Sequence, residues 1–283
     1  MIAYFNDQYL EKDQIRLSPD DRGFLFGDGL YEVIRSYKGR LFLGREHIDR
    51  LNYGARHLQL NTTDFSFLET VSRELIKRNN LEDEDATVYL QVTRGAALRS
   101  HPFPDADTPL NIYGTAQTFN HTLARKYQDE GAGVITLSDN RWARCDMKTT
   151  SLTANVLANQ RAKEKGCPEA IFIRDGVMLE GTHSNFMAVM DNTLVTAPLS
   201  NYILGGITRN HIVKRCADLG IAVEERPIFE KDAHLCTEMM VTGTTTEVTP
   251  VITVNGKPVG DGKPGPIARK LQAALSADIQ SLG

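Results

Sequence analysis

One lysine, one spaced carboxylate and two glycine–threonine turns are the residues of this sequence best suited to chemistry. Lys148 stands in RWARCDMKTTSLTANVLANQ, between a strand-like run ending near Ser138 and a helical run opening near Ser151. Most lysines are solvated surface groups, but one at such a junction can project into a cleft. Downstream lie Glu180 in EGTHSNF, LVTAP at Leu194–Pro198, LGGITR at Leu204–Arg209 and TGTTTEVTP at Thr242–Pro250. Gly206-Ile207-Thr208 precedes a helical run, so its free backbone N–H groups and the helix dipole form an anion site. Gly243-Thr244 offers a further N–H and a hydroxyl at a strand-to-loop transition. Either pair alone is commonplace in loops. Two of them, with a carboxylate and a lysine, point to a phosphorylated cofactor.

The elements that must position these groups are legible from turns and periodicity. Lys38-Gly39, Asp175-Gly176, Asp191-Asn192 and Asn255-Gly256 each separate two apolar runs. Such dipeptides suit tight hairpins, whose turn residues need positive φ. Further strand-like runs are Thr87–Thr93, Asn111–Thr118, Val134–Ser138 and Glu238–Thr242. Ile48, Leu51, Ala55 and Leu58 share one helical face, as do Leu68, Val71 and Leu75. Leu152–Lys165 and Ile207–Leu219 read as helices closed by Gly166 and Gly220. Pro266 opens a last helix carrying Ile267, Leu271 and Leu275. The mixture is α+β, rich in antiparallel hairpins, without the strand–helix alternation of a doubly wound sheet. The polar stretch FNHTLARKYQDEGAG marks a boundary: a smaller domain over 1–120, a linker over 121–132 and a larger cofactor-binding domain over 133–283.

Composition narrows the functions. With 41% hydrophobic and 24% charged residues over 283 positions, the chain can build two cores without disulfides or metal. A net charge of -4, from 36 acids and 32 bases, argues against nucleic acid as partner. Cys145, Cys167, Cys216 and Cys236 form no C-x-x-C pair and no zinc-ligand spacing, so no metal is expected and reduced thiols in the cytoplasm are. MIAYFNDQYLEKDQ lacks a basic region followed by an apolar one, and no run of about 18 apolar residues occurs. Neither a signal peptide nor a membrane span is expected.

The ordered set DRGFLFGDGLYEV, HIDRL, VTRGAALRSH, DMKTTSL, EGTHSN and LGGITR resembles the class IV (branched-chain/D-amino acid) pyridoxal phosphate-dependent aminotransferases over essentially the whole chain. The resemblance implies their fold, two α/β domains of fold type IV. It makes Lys148 the Schiff-base lysine, which also moves the proton between substrate and cofactor, and Glu180 the carboxylate facing the pyridine nitrogen. Arg50, Ile207, Thr208, Gly243 and Thr244 match the phosphate ligands, and Leu204 the residue backing the ring. Tyr31, Arg99 and His101 match the carboxylate trap of the D-selective members. The activity implied is transamination of D-amino acids such as D-alanine and D-glutamate with 2-oxo acids such as 2-oxoglutarate, in a cytoplasmic homodimer whose Arg99–His101 loop reaches across to the partner's site.

Some positions depart from the family pattern. Gly205 stands where close relatives carry lysine, His183 where a small residue is usual, Met187 for an aromatic and Gly243 for a serine. These leave the side-chain pocket open to several amino acids. Competing readings are an L-selective branched-chain aminotransferase, which would lack the Tyr31–Arg99–His101 trap, and a 4-amino-4-deoxychorismate lyase. A non-catalytic relative would be expected to have lost Lys148 or Glu180, and both are present.

Overall fold

The structure, a computed structural model, describes residues 1–282; Gly283, the last residue of the expected second domain, lies outside the described residues. The chain divides into two units, residues 1–119 with 147–152, and residues 120–146 with 153 onward.

The first unit is a six-stranded antiparallel sheet backed by helices. Its strands are β1 (Ile2–Phe5), β2 (Gln8–Glu11), β3 (Gly29–Tyr37), β4 (Arg40–Leu41), β5 (Ala86–Thr93) and β6 (Asn111–Thr118), in the order β2-β1-β6-β5-β3-β4. The helices are α1 (Arg22–Phe26), α2 (Gly44–His57) and α3 (Leu68–Arg78). In β5, Ala86, Val88, Leu90 and Val92 are buried at alternate positions, the period of a sheet with one face on a core. The expected stripes of α2 and α3 meet that face: Ile48, Leu51, Ala55, Leu68, Val71 and Leu75 join one buried cluster with Ile34, Val88 and Leu90.

The second unit comprises α4 (Thr122–Glu130), β7 (Ala132–Ser138), α5 (Thr153–Glu164), β8 (Glu169–Arg174), β9 (Val177–Gly181), β10 (Asn185–Met190), β11 (Thr193–Thr196), α6 (Ile207–Asp218), β12 (Ala222–Glu225), β13 (Ile228–Phe229), β14 (Glu238–Gly243), β15 (Glu247–Val254), β16 (Lys257–Pro258) and α7 (Pro266–Gln280). Its sheet runs β12-β11-β10-β14-β15-β7-β8-β9-β13, with β16 beside β15. A further pairing, Glu180 opposite Asn185, joins β9 to β10. That pairing closes β10, β14, β15, β7, β8 and β9 into a ring around Val134, Ile171, Phe186, Val241 and Val251.

The four expected hairpin turns all form, with both turn residues at positive φ, such as Asp175 at 51° and Gly176 at 77°. Gly166 and Gly220 follow their helices in the left-handed region, at 73° and 64°, and Pro266 opens α7. Two boundaries differ from the sequence reading. Most of the stretch expected as a linker, 121–132, is the helix α4, which buries none of its residues. Its last turn is instead held by Arg269, which donates to the carbonyls of Gln128 and Asp129. The segment around Lys148 belongs to the first unit, because its backbone pairs with the start of β3.

Candidate active site

In the first unit Lys148 is fixed through its backbone. The Tyr31 N–H donates to the Lys148 carbonyl at 3.0 Å, and the Thr150 N–H to the Gly29 carbonyl at 3.0 Å. The Thr150 hydroxyl adds a bond to the Gly27 carbonyl at 3.0 Å. Lys148 thus extends the edge of β3, and its amine lies 4.3 Å from the centroid of the Tyr31 ring. Tyr31 in turn stacks on Tyr89, with 5.9 Å between centroids.

One residue along β3, the buried Glu32 faces α2. Its carboxylate accepts from Arg50 Nε at 2.7 Å and Nη2 at 2.8 Å, and pairs with His47 Nδ1 at 2.8 Å. Burial alone would raise its pKa. The Arg50 charge and the hydrogen bonds from Arg50 and His47 outweigh burial and hold it at about 2. His47 is pushed the other way, below its ordinary value, chiefly by desolvation; Glu32 opposes that, while the charges of Arg50 and Lys148 add to it. A neutral His47 therefore donates Nδ1–H to Glu32. Arg50, expected to serve a phosphate, is already oriented by this fork.

In the second unit Glu180 sits at the seam that closes the ring. Arg141 Nη1 donates to Oε1 at 2.5 Å; Asn185 Nδ2 and the Leu204 N–H each donate to Oε2 at 3.0 Å. Arg141 also forks onto the buried Asp139 and covers the Phe172 ring at 4.3 Å. Burial works against the Arg141 charge, but Glu180 and Asp139 prevail and push its pKa above the ordinary range. A cation beside a carboxylate favours the carboxylate's charged form. Asp139 itself is drawn down, Arg141 overcoming the cost of its burial.

The loop between β9 and β10 is wound around another buried carboxylate, Glu169. It accepts from the Thr182 N–H at 2.8 Å, the Thr182 hydroxyl at 2.5 Å and the Ser184 hydroxyl at 2.8 Å. A Cβ on Gly181 would collide with Ser184 and Glu169, so glycine in the EGTHSN frame is a packing requirement. Gly206 is constrained likewise by the Asn185 amide. It caps α6 with no side-chain bond, which leaves the Ile207 and Thr208 N–H groups without intrahelical acceptors. Gly243 ends β14, and Thr244 opens the turn to β15. In and beside that turn the buried Thr242 and Thr246 hydroxyl oxygens have no hydrogen-bond partner among the described residues.

The structure brings together Lys148 with Tyr31 in the first unit and Glu180 with Leu204 in the second. Arg99 and His101, expected to serve the partner's site, gather on Phe26 within their own chain, at 5.2 and 5.7 Å from its ring centre. His183 rests its Nδ1 3.1 Å from Glu169, and Met187 is buried opposite Met240 on β14. A Cβ on Gly205 would make only ordinary contact with Leu199 and Asn210, so this position has room for a side chain. Sequence reasoning missed Glu32, His47, Arg141 and Glu169. The His47–Arg50 spacing on one helix was the one available signal for the first pair; Arg141 and Glu169 meet their partners through tertiary structure.

A family model described as amino-transferase class IV matches residues 29–254. The D-alanine aminotransferase of Bacillus licheniformis is 39% identical over 285 residues, 99% of this chain and 98% of that protein. The Staphylococcus haemolyticus D-alanine aminotransferase is 38% identical over 282 residues, again 99% and 98%. Among solved structures, the branched-chain amino acid aminotransferase from Escherichia coli has a TM-score of 0.86 at 26% identity, over 98% of this chain and 93% of that one. Crystals of the same enzyme in another determination give a TM-score of 0.90 at 25% identity, again over 98% and 93%.

Proposed function

The chain belongs to the class IV aminotransferases, and from that premise we propose that it moves amino groups from D-amino acids, D-alanine and D-glutamate among them, to 2-oxo acids such as 2-oxoglutarate. The observation that carries the choice of D-substrates is the full-length similarity to proteins named D-alanine aminotransferase, at 37–39% identity. The branched-chain enzymes found by structure are more distant in sequence, at 26% and 25%.

The enzyme is pyridoxal phosphate-dependent, and the residues present fit that cofactor. The N-terminus of α6, capped by Gly206 with no side-chain bond, and the Gly243-Thr244 turn suit a phosphate. Ile207, Thr208, Gly243, Thr244 and Arg50 would hold it. Glu180, which accepts from Arg141, would face the pyridine nitrogen, with Leu204 against the ring. When bound, the cofactor supplies an aldehyde that takes up the amino group and a ring that draws electrons from the α-carbon. An anionic Glu180 there would favour a protonated ring nitrogen. Lys148 would hold the cofactor, and its amine would take the proton from the substrate α-carbon and return it as a general acid.

Enantiomer choice follows from where the α-carboxylate is pinned. The Cα–H bond must face the Lys148 amine, so fixing the carboxylate leaves one place for the side chain. Arg99 can grip the carboxylate through two N–H groups, with Tyr31 and His101 adding directed donors. Charge-assisted contacts of roughly 1.5–3 kcal/mol each make discrimination of tenfold or more per contact. We further propose a homodimer in the cytoplasm, in which the Arg99–His101 loop serves the partner's site; a solution mass of twice the chain checks the assembly. Among the described residues no helix is long and apolar enough to cross a membrane. The half-reactions with D- and L-alanine, followed through the cofactor spectrum, test the function: D-alanine is expected to react faster. Faster conversion of L-alanine or L-leucine would contradict the proposal and favour the branched-chain reading.

A further inference from the structure

The stretch DRGFLFGD, Asp21 to Asp28, is a conspicuous part of the family resemblance that the chemistry above leaves unused. In the structure it forms α1, capped at Asp21 by a bond from the Phe24 N–H and closed by Gly27 at a φ of 68°. Its first residue, Arg22, is buried, and its guanidinium faces two ways. Nε donates to Asp28 Oδ2 at 2.9 Å. Nη1 donates to the Ser100 carbonyl at 2.6 Å and the Pro102 carbonyl at 3.3 Å, and Nη2 to the His101 carbonyl at 3.4 Å. Three consecutive carbonyls of the loop after β5 are therefore held by one side chain. Asp28 is anchored in turn by Arg94, whose Nε and Nη2 reach its two oxygens at 2.7 and 3.0 Å.

The last residue of α1, Phe26, completes the arrangement. Its ring lies under Arg22 at 4.8 Å, under Arg99 at 5.2 Å and beside the His101 ring at 5.7 Å. Arg99 and His101 are exposed, and the Phe26 ring is a contact common to both. A guanidinium over a ring face is attracted by the ring's quadrupole.

We infer that Arg22 and Phe26 are positioning residues for the Arg99–His101 carboxylate clamp, Arg22 fixing the loop backbone and Phe26 orienting the two side chains. The inference rests on the D-amino acid reading above, because it takes Arg99 and His101 as the groups that grip the substrate. In this assignment both residues act through the loop and its two side chains. Their loss should therefore weaken carboxylate binding and leave proton transfer by Lys148 intact.

The test uses the cofactor-loaded enzyme and four variants: Phe26→Leu, Phe26→Tyr, Arg22→Lys and Arg99→Ala. Three quantities are read: KM and kcat for D-alanine, the inhibition constant of propionate as an unreactive carboxylate, and the cofactor dissociation constant. Phe26→Leu keeps an apolar side chain and removes the ring face; Arg22→Lys keeps the charge and removes the fork. Both should raise KM and the propionate constant about tenfold with kcat within about twofold, the pattern of lost ground-state binding. Cofactor affinity should be unchanged, and Phe26→Tyr should restore the wild-type constants. If Arg99→Ala raises KM while Phe26→Leu and Arg22→Lys do not, the clamp stands and the positioning role falls. If Arg99→Ala leaves D-alanine KM and propionate binding unchanged, the clamp reading falls and takes this inference with it. Should Arg22→Lys fail to fold, Phe26→Leu, which leaves the ion network whole, decides the matter.

Discussion

Replacing Glu32 by Gln removes one negative charge from a buried fork and keeps its volume. The carboxylate accepts three N–H groups, two from Arg50 and one from His47. An amide offers one oxygen to those donors and turns its own N–H against the rest. Burial alone would raise the Glu32 pKa, but Arg50 and His47 bring it from an ordinary 4.5 to about 2. That displacement corresponds to roughly 3 kcal/mol of preference for the ionised folded form. The figure agrees with the roughly 3–5 kcal/mol lost when one partner of a buried pair is removed. Because the folded pKa lies below the unfolded one, this stability is present in full above about pH 4.5 and is lost as the pH falls toward about 2. Urea unfolding followed by circular dichroism, at about pH 7 and about pH 3, measures it. Glu32→Gln is expected to be about 3 kcal/mol less stable at the higher pH, with the gap narrowing at the lower. A gap under about 1 kcal/mol at neutral pH, or one that does not narrow in acid, would refute the role of the fork.

Two further substitutions probe the second unit. Glu180→Gln should retain the cofactor while slowing transamination by orders of magnitude, since Arg141 keeps Asp139 while the ring nitrogen loses its counter-charge; stopped-flow half-reactions at wild-type speed would show that something else protonates the ring. Gly206→Ala places a Cβ into the Asn185 amide, so it should weaken cofactor affinity about tenfold or more by disturbing the cap of α6. Equilibrium titration of apoenzyme with an undiminished affinity would argue against a phosphate there.

Much of the fold is written locally in the sequence. The four hairpins follow from dipeptides such as Asp175-Gly176 and Asn255-Gly256 that accept positive φ twice in succession. The stripes of α2 and α3 follow from apolar spacing, and the ends of α5 and α6 from Gly166 and Gly220. The site was legible where a motif carries its own geometry, as in the loop after Glu180 and the N-terminus of α6. It was opaque where a charge finds its partner through the fold. Arg141 reads as one more arginine in RWARCD until the closure of the ring sets it against Glu180. Arg50 reads as a solvated helix residue until β3 presents Glu32. The helix α4 was missed because it buries no residue of its own and leans on Arg269 of α7. The return of the chain to pair Thr149 with Leu30 likewise depends on contacts more than a hundred residues apart in sequence.

The claim on which the rest depends is that Lys148 carries the cofactor. Its backbone is fixed to β3 and its amine lies 4.3 Å from the centre of the Tyr31 ring. Borohydride reduction of the cofactor-loaded enzyme, followed by proteolysis and mass mapping, measures this directly. The account predicts that a phosphopyridoxyl group is fixed on the peptide containing Asp146-Met147-Lys148, and that Lys148→Ala abolishes the label. A label on a different lysine, or an unlabelled chain from protein that had bound the cofactor, would contradict it.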